Sequence, residues 1–108
     1  MSRSDAELLG DALQHLQMLH HHLERADLAD ETVADAVSLR LAAAIEAVAT
    51  ASLEVRSRVF GDDWATAWST RNRIAHGYAH VDLAIIRSTV ERDLPGLEGA
   101  LRAELERF

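Results

Sequence analysis

The sequence predicts an all-α fold, an up-and-down bundle of four long helices whose last helix is kinked or broken at Pro95. Three observations carry this. Apolar residues recur at three- and four-residue steps, the spacing that gathers them on one face of a helix. Helix-starting residues stand ahead of these runs. No strand pattern, internal repeat or low-complexity linker interrupts them. The 108 residues read as a single domain, 1–108, and a domain of this size buries roughly two-thirds of its unfolded surface.

Ser4-Asp5-Ala6-Glu7 has the form of a capping box, in which hydroxyl and carboxylate satisfy the free amides of a helix start. The first helix is expected to run to about Leu28, with Leu9, Leu13, Leu16, Leu19 or His20, and Leu23 along one stripe. His20, His21 and His22 follow one another and so point about 100° apart, which prevents them from converging on one metal ion. Asp30 or Thr32 caps a second helix that could continue to Val59 before Gly61 stops it. Its inner stripe is Val33, Val37, Leu41, Ala44, Ile45 and Val48, and Ala42, Ala43, Ala47 and Ala51 leave room for a close neighbour. Arg40 and Glu46 interrupt this apolar helix six residues apart and do not face each other. Glu46 is placed to hold an arginine of another helix, and Arg40 to join an ion pair across a subunit interface; a solvated position is open to both.

Asp62 or Asp63 caps the third helix, on which Trp64, Trp68, Arg71, Ala75 and Tyr78 share a face. Buried tryptophans are expected there, with stacking on nucleic-acid bases as the alternative. Gly77 suits the position just past a helix end, so the helix should finish near His76. Asp82 opens the fourth helix, with Leu83, Ile85, Ile86, Thr89 and Val90 as its apolar surface. Proline is tolerated in the first turn of a new helix, so Pro95 implies a break near Leu94 and a final segment buried through Leu97, Leu101 and Leu105.

Composition narrows the chemistry. The chain has no cysteine, which removes disulfides, thiolate metal sites and cysteine nucleophiles together. The start carries no apolar leader, and no apolar run near it is long enough to span a bilayer. A soluble, cytoplasmic protein that makes no membrane contact is expected. A net charge of −7 argues against general binding to duplex DNA, which depends on phosphate neutralisation. Only residues 56–81 are basic, with Arg56, Arg58, Arg71 and Arg73 against Asp62 and Asp63. Every cation is arginine and none is lysine, which suits bidentate phosphate contacts, although a GC-rich genome would favour arginine codons as well.

The basic segment contains Arg71-Asn72-Arg73-Ile74-Ala75-His76-Gly77-Tyr78. Arginine offers a rigid fork of donors for a phosphate, and histidine as a residue type exchanges protons near neutral pH. Those are the two parts of a ribonuclease that works without metal. A base takes the proton of a ribose 2′-hydroxyl, the oxygen attacks phosphorus, and a cation stabilises the phosphoryl oxygens. On an ideal helix Arg71 and His76 lie about 140° apart, too far round to serve one phosphate unless the backbone breaks or a second subunit contributes. A two-fold homodimer would bring two copies of the segment together.

Arg71, four residues, His76, one residue, Tyr78, with Asn72 directly after the arginine, resembles the signature of the HEPN ribonuclease superfamily and of its HepT-like toxins. Arg40-Leu41 followed by Glu46-Ala47, and Asp62-Asp63-Trp64 ahead of the motif, are similar to further elements of that family. One departure is Ile45, where the family usually has glycine, and it bears on a close helix contact. The likeness extends from the first helix to Leu94-Pro95-Gly96-Leu97. The resemblance implies a homodimer with facing motifs and an RNA substrate. It implies Arg71 and His76 as the catalytic pair, supported by Asn72 and Arg73. It also implies a cognate nucleotidyltransferase antitoxin that transfers AMP to Tyr78. No cofactor and no metal are implied.

Two other readings use the same residues. One is a catalytically weak or inactive binding module for a nucleotidyltransferase or a nucleotide, since fold does not fix function. The other pairs His76 with His80 as metal ligands, but the expected helix end at Gly77 makes that spacing uninformative.

Overall fold

The computed structural model describes residues 3–77 and 82–108. These form six α-helices: α1 Asp5–Arg25, α2 Glu31–Thr50, α3 Leu53–Phe60, α4 Trp64–Ala75, α5 Leu83–Ser88 and α6 Leu94–Leu105. A 3₁₀ turn, Gly61–Asp63, joins α3 to α4, and a π-helical turn, Thr89–Asp93, joins α5 to α6. No strand occurs among the described residues. The four long helices expected are therefore α1, α2 with α3, α4, and α5 with α6, and the all-α bundle stands.

The Ser4 hydroxyl accepts the Glu7 amide at 3.1 Å, and the Glu7 carboxylate turns back to that hydroxyl. The helix stops at Arg25, short of Leu28, because Asp27 makes its own turn: its carboxylate accepts the Ala29 amide at 2.7 Å and its carbonyl the Asp30 amide at 3.1 Å. Leu28 remains buried as a plug at this end. Asp30 caps α2 through the Val33 amide at 3.1 Å. The whole stripe expected on α2, Val33 to Val48, is buried against Leu9, Leu16 and Leu19 of α1.

The second helix does not reach Val59 unbroken. Ala51 and Ser52 are extended, and the Ser52 hydroxyl caps a new helix through the Val55 amide at 3.3 Å. The Ser52 amide is bound by the Asp5 carboxylate at 2.9 Å, so the start of α1 fixes the break. The redirected α3 packs on α6, where Arg58 reaches Glu104, an acid only 5% exposed, at 2.7 Å.

Gly61, with φ +54°, ends α3 in a conformation that side-chain-bearing residues rarely adopt. Asp62 and Asp63 do not cap α4 through their side chains as expected, because the backbone stays helical through the 3₁₀ turn and leaves no extended cap position. Asp82 does cap α5, accepting the Ala84 amide at 2.9 Å. The break near Leu94 takes the form of a widened turn just before it, in which the Leu94 amide bonds back to the Thr89 carbonyl. A normal α-helical register would press the proline ring against a carbonyl four residues back. The wider turn precedes Pro95, and α6 proceeds with Leu94 and Leu101 buried and Leu97 and Leu105 partly so. No helix among the described residues is long and apolar enough to cross a membrane.

Candidate active site on α4

None of the residues of α4 is fully buried. The tryptophans are half-buried rather than buried as expected, and they pack on each other instead of entering the core. Trp64 and Trp68 stack with centroids 5.4 Å apart and planes at 25°, and Phe60 meets Trp64 at 5.4 Å in a tilted contact. The four-residue step that places Trp64 and Trp68 on one face continues to Arg71, whose guanidinium carbon lies 4.8 Å from the Trp68 centroid.

Arg71 is thereby held on three sides. Its Nη2 donates to the Glu46 carboxylate at 3.2 Å, its Nη1 donates to the Asn72 side-chain oxygen at 3.1 Å, and Trp68 lies against its plane. The side chain is 20% exposed, whereas Glu46 is 56% exposed. The acid on α2 that the sequence made available to another helix thus meets the arginine of the motif.

The backbone ends α4 as expected. The His76 amide bonds to the Asn72 carbonyl at 2.9 Å, and His76 leaves helical geometry at φ −115°, ψ 12°. His76 itself is exposed and lines an open groove with Trp64, Trp68, Asn72, Arg73 and Asp82. Arg71 is not among the lining residues, because Glu46 draws it toward α2. One chain therefore assembles Asn72, Arg73 and His76 in one place and Arg71 beside it, without bringing Arg71 and His76 onto one point. Asp82 on the rim was legible only as a cap. Tyr78 and His80 lie outside the described residues.

The remaining polar residues singled out in the sequence have other neighbours. Arg40 donates to Nδ1 of His15 at 3.1 Å, joining α2 to α1 within the chain. His20 contacts Glu98 on α6, and His21 lies 3.9 Å from Glu24. Adjacent histidines on α1 thus point to different partners.

The all-α bundle, with the Arg71 to His76 segment closing α4, agrees with the resemblance to HEPN-superfamily domains. A family model described as Ribonuclease HepT-like matches residues 9–104, and the chain belongs to that family. Searches among curated proteins and among solved structures found no match. Ile45 is buried and lines a cavity together with Phe60, Ala67, Ile85 and Leu97.

Proposed function

We propose that this chain is a metal-independent endoribonuclease, the toxin of a toxin-antitoxin pair, acting in the cytoplasm as a homodimer. The observation that carries the reading is the state of the motif. Arg71 is preset by Glu46, Asn72 and Trp68, while His76 stands exposed in a groove with Asn72 and Arg73. His76 takes the 2′-hydroxyl proton of bound RNA. The 2′-oxygen forms a bond to phosphorus as the bond to the 5′-oxygen breaks, and the leaving oxygen takes a proton from water, to which His76 later returns its own. Arg71 stabilises the charge on the phosphoryl oxygens. The products are a 2′,3′-cyclic phosphate and a 5′-hydroxyl. Membership of the HepT-like family supports this chemistry at the level of class.

The test uses single-stranded RNA with a chelator present, beside the same strand carrying 2′-deoxyribose throughout. Wild-type protein should cut only the RNA, and His76→Ala, an exposed residue with little packing to lose, should slow cleavage by about 10² to 10⁴. Cleavage of both strands, or a folded His76→Ala protein as fast as wild type, contradicts the mechanism. RNA bound but never cut would support the binding-module reading instead.

The regulatory half of the proposal concerns Tyr78, two residues beyond His76. A cognate nucleotidyltransferase antitoxin adds AMP to its phenol, and the new phosphodiester competes with substrate for the arginines while the adenosine fills the groove. Intact mass after co-expression with the nucleotidyltransferase should show additions in steps of one AMP that vanish in Tyr78→Phe. An unmodified chain from cells protected by an active antitoxin would exclude this role.

A further inference from the structure

The four arginines of the basic segment have different neighbours. Arg58 is paired with the buried Glu104, and Arg71 is paired with Glu46. Among the described residues, Arg56 and Arg73 have no acidic partner within ion-pair distance. Arg73 lies in the His76 groove. Arg56 is in α3, outside the motif, yet its guanidinium carbon lies 4.5 Å from the Trp64 centroid. Trp64 stacks on Trp68, and Trp68 supports Arg71. A guanidinium therefore stands at each end of one aromatic ladder. Its two rings also line the groove of His76.

A guanidinium laid on an aromatic ring keeps its edge donors available while losing freedom to move, which suits it to hold a phosphate. The chain as a whole carries −7, so Arg56 on α3 and Arg73 on α4, both without an acidic partner and both beside the ladder, complement a polyanion there. From Trp64 to His76 the helical rise is about 18 Å, the length of about five nucleotides at the ~3.4 Å spacing of a stacked strand.

Resting on the ribonuclease reading above, we infer that Arg56 is a phosphate-binding residue outside the motif, at the far end of a single-stranded RNA track that runs from the His76 groove along α4. Trp64 fixes the Arg56 guanidinium, and the strand crosses the open side of the ladder between Arg56 and Arg73. The site thus grips several nucleotides beyond the scissile phosphate. Very short substrates miss the Arg56 contact.

The test is fluorescence anisotropy with labelled oligouridine longer than the track, in a His76→Ala background that leaves the probe intact, over a series of potassium chloride concentrations. Arg56→Gln should weaken binding and reduce the steepness of log Kd against log salt by about 0.7, the value for one phosphate contact on a single strand. Arg56→Lys should keep the slope, and a diuridine probe should bind Arg56→Gln and its parent alike. An unchanged slope overturns the inference, including when it accompanies a lower melting temperature, which would make Arg56 a support for the α3–α4 corner. A shift of Arg56→Gln from dimer to monomer also overturns it, because the ladder would then be a contact between copies. RNA cut by wild type with no Arg56 effect on the slope removes this inference alone; RNA held with the full slope but never cut removes the catalytic reading alone.

Discussion

Arg71 reaches its three neighbours by different physics, and their strengths decide what substrate must displace. Glu46 is more than half exposed and makes one contact at 3.2 Å, so the pair is worth at most about 1 kcal/mol. The stacking on Trp68 and the hydrogen bond to Asn72 involve no competing anion. Under the proposed ribonuclease function, RNA phosphate replaces Glu46 while Trp68 and Asn72 keep the guanidinium in position. Glu46→Gln should therefore change stability by less than about 1 kcal/mol and tighten RNA binding by up to about fivefold. Thermal melts and a KM measurement check this, and a tenfold fall in kcat/KM would mean that the negative charge itself orients Arg71 for catalysis. The pairing was partly legible in the sequence, since Glu46 falls within the apolar half of its helix, where an acid needs a partner. The partner's identity needed the packing of α2 against α4. The sequence also placed Trp64, Trp68 and Arg71 on one face, but not that the rings would stack on each other and stay half-exposed. That outcome depends on α3 turning Phe60 and Arg56 toward them.

At the scale of elements, the break between α2 and α3 sets the site. An uninterrupted helix to Val59 would carry Arg56 and Arg58 along the line of α2, away from α4 and α6. Ser52 prevents this through its cap to Val55 and its amide bond to Asp5. Ser52→Ala should cost about 1 kcal/mol, the usual loss for a serine N-cap, read as a lower melting temperature with the core otherwise intact. No measurable change would mean that the Asp5 contact alone holds the break. The apolar stripe of α2 was readable because burial dominates it, while the break was not, because the deciding acid lies at the start of another helix, 47 residues away. Helix ends governed by local chemistry, such as Ser4, Asp30, Gly61 and Asp82, were placed correctly. The end at Arg25 and the uncapped start of α4 were not, because the Asp27 turn and the 3₁₀ bridge offered the backbone other partners.

At the scale of the molecule, fold class follows from periodicity, while completeness of the site does not. The Arg71 and His76 offset computed for an ideal helix persists in the chain, where Arg71 faces α2 and His76 faces the groove. The proposed two-fold dimer resolves this by letting Arg71 of one protomer act with His76 of the other. Mixing two inactive variants measures that most directly. Arg71→Ala and His76→Ala proteins, each inactive by itself, are combined in equal amounts and allowed to exchange subunits, and RNA cleavage is followed. Half of the dimers are then mixed, and each has one of its two sites intact, so about one quarter of wild-type activity should return. Exchange without recovered cleavage would contradict a site shared between subunits.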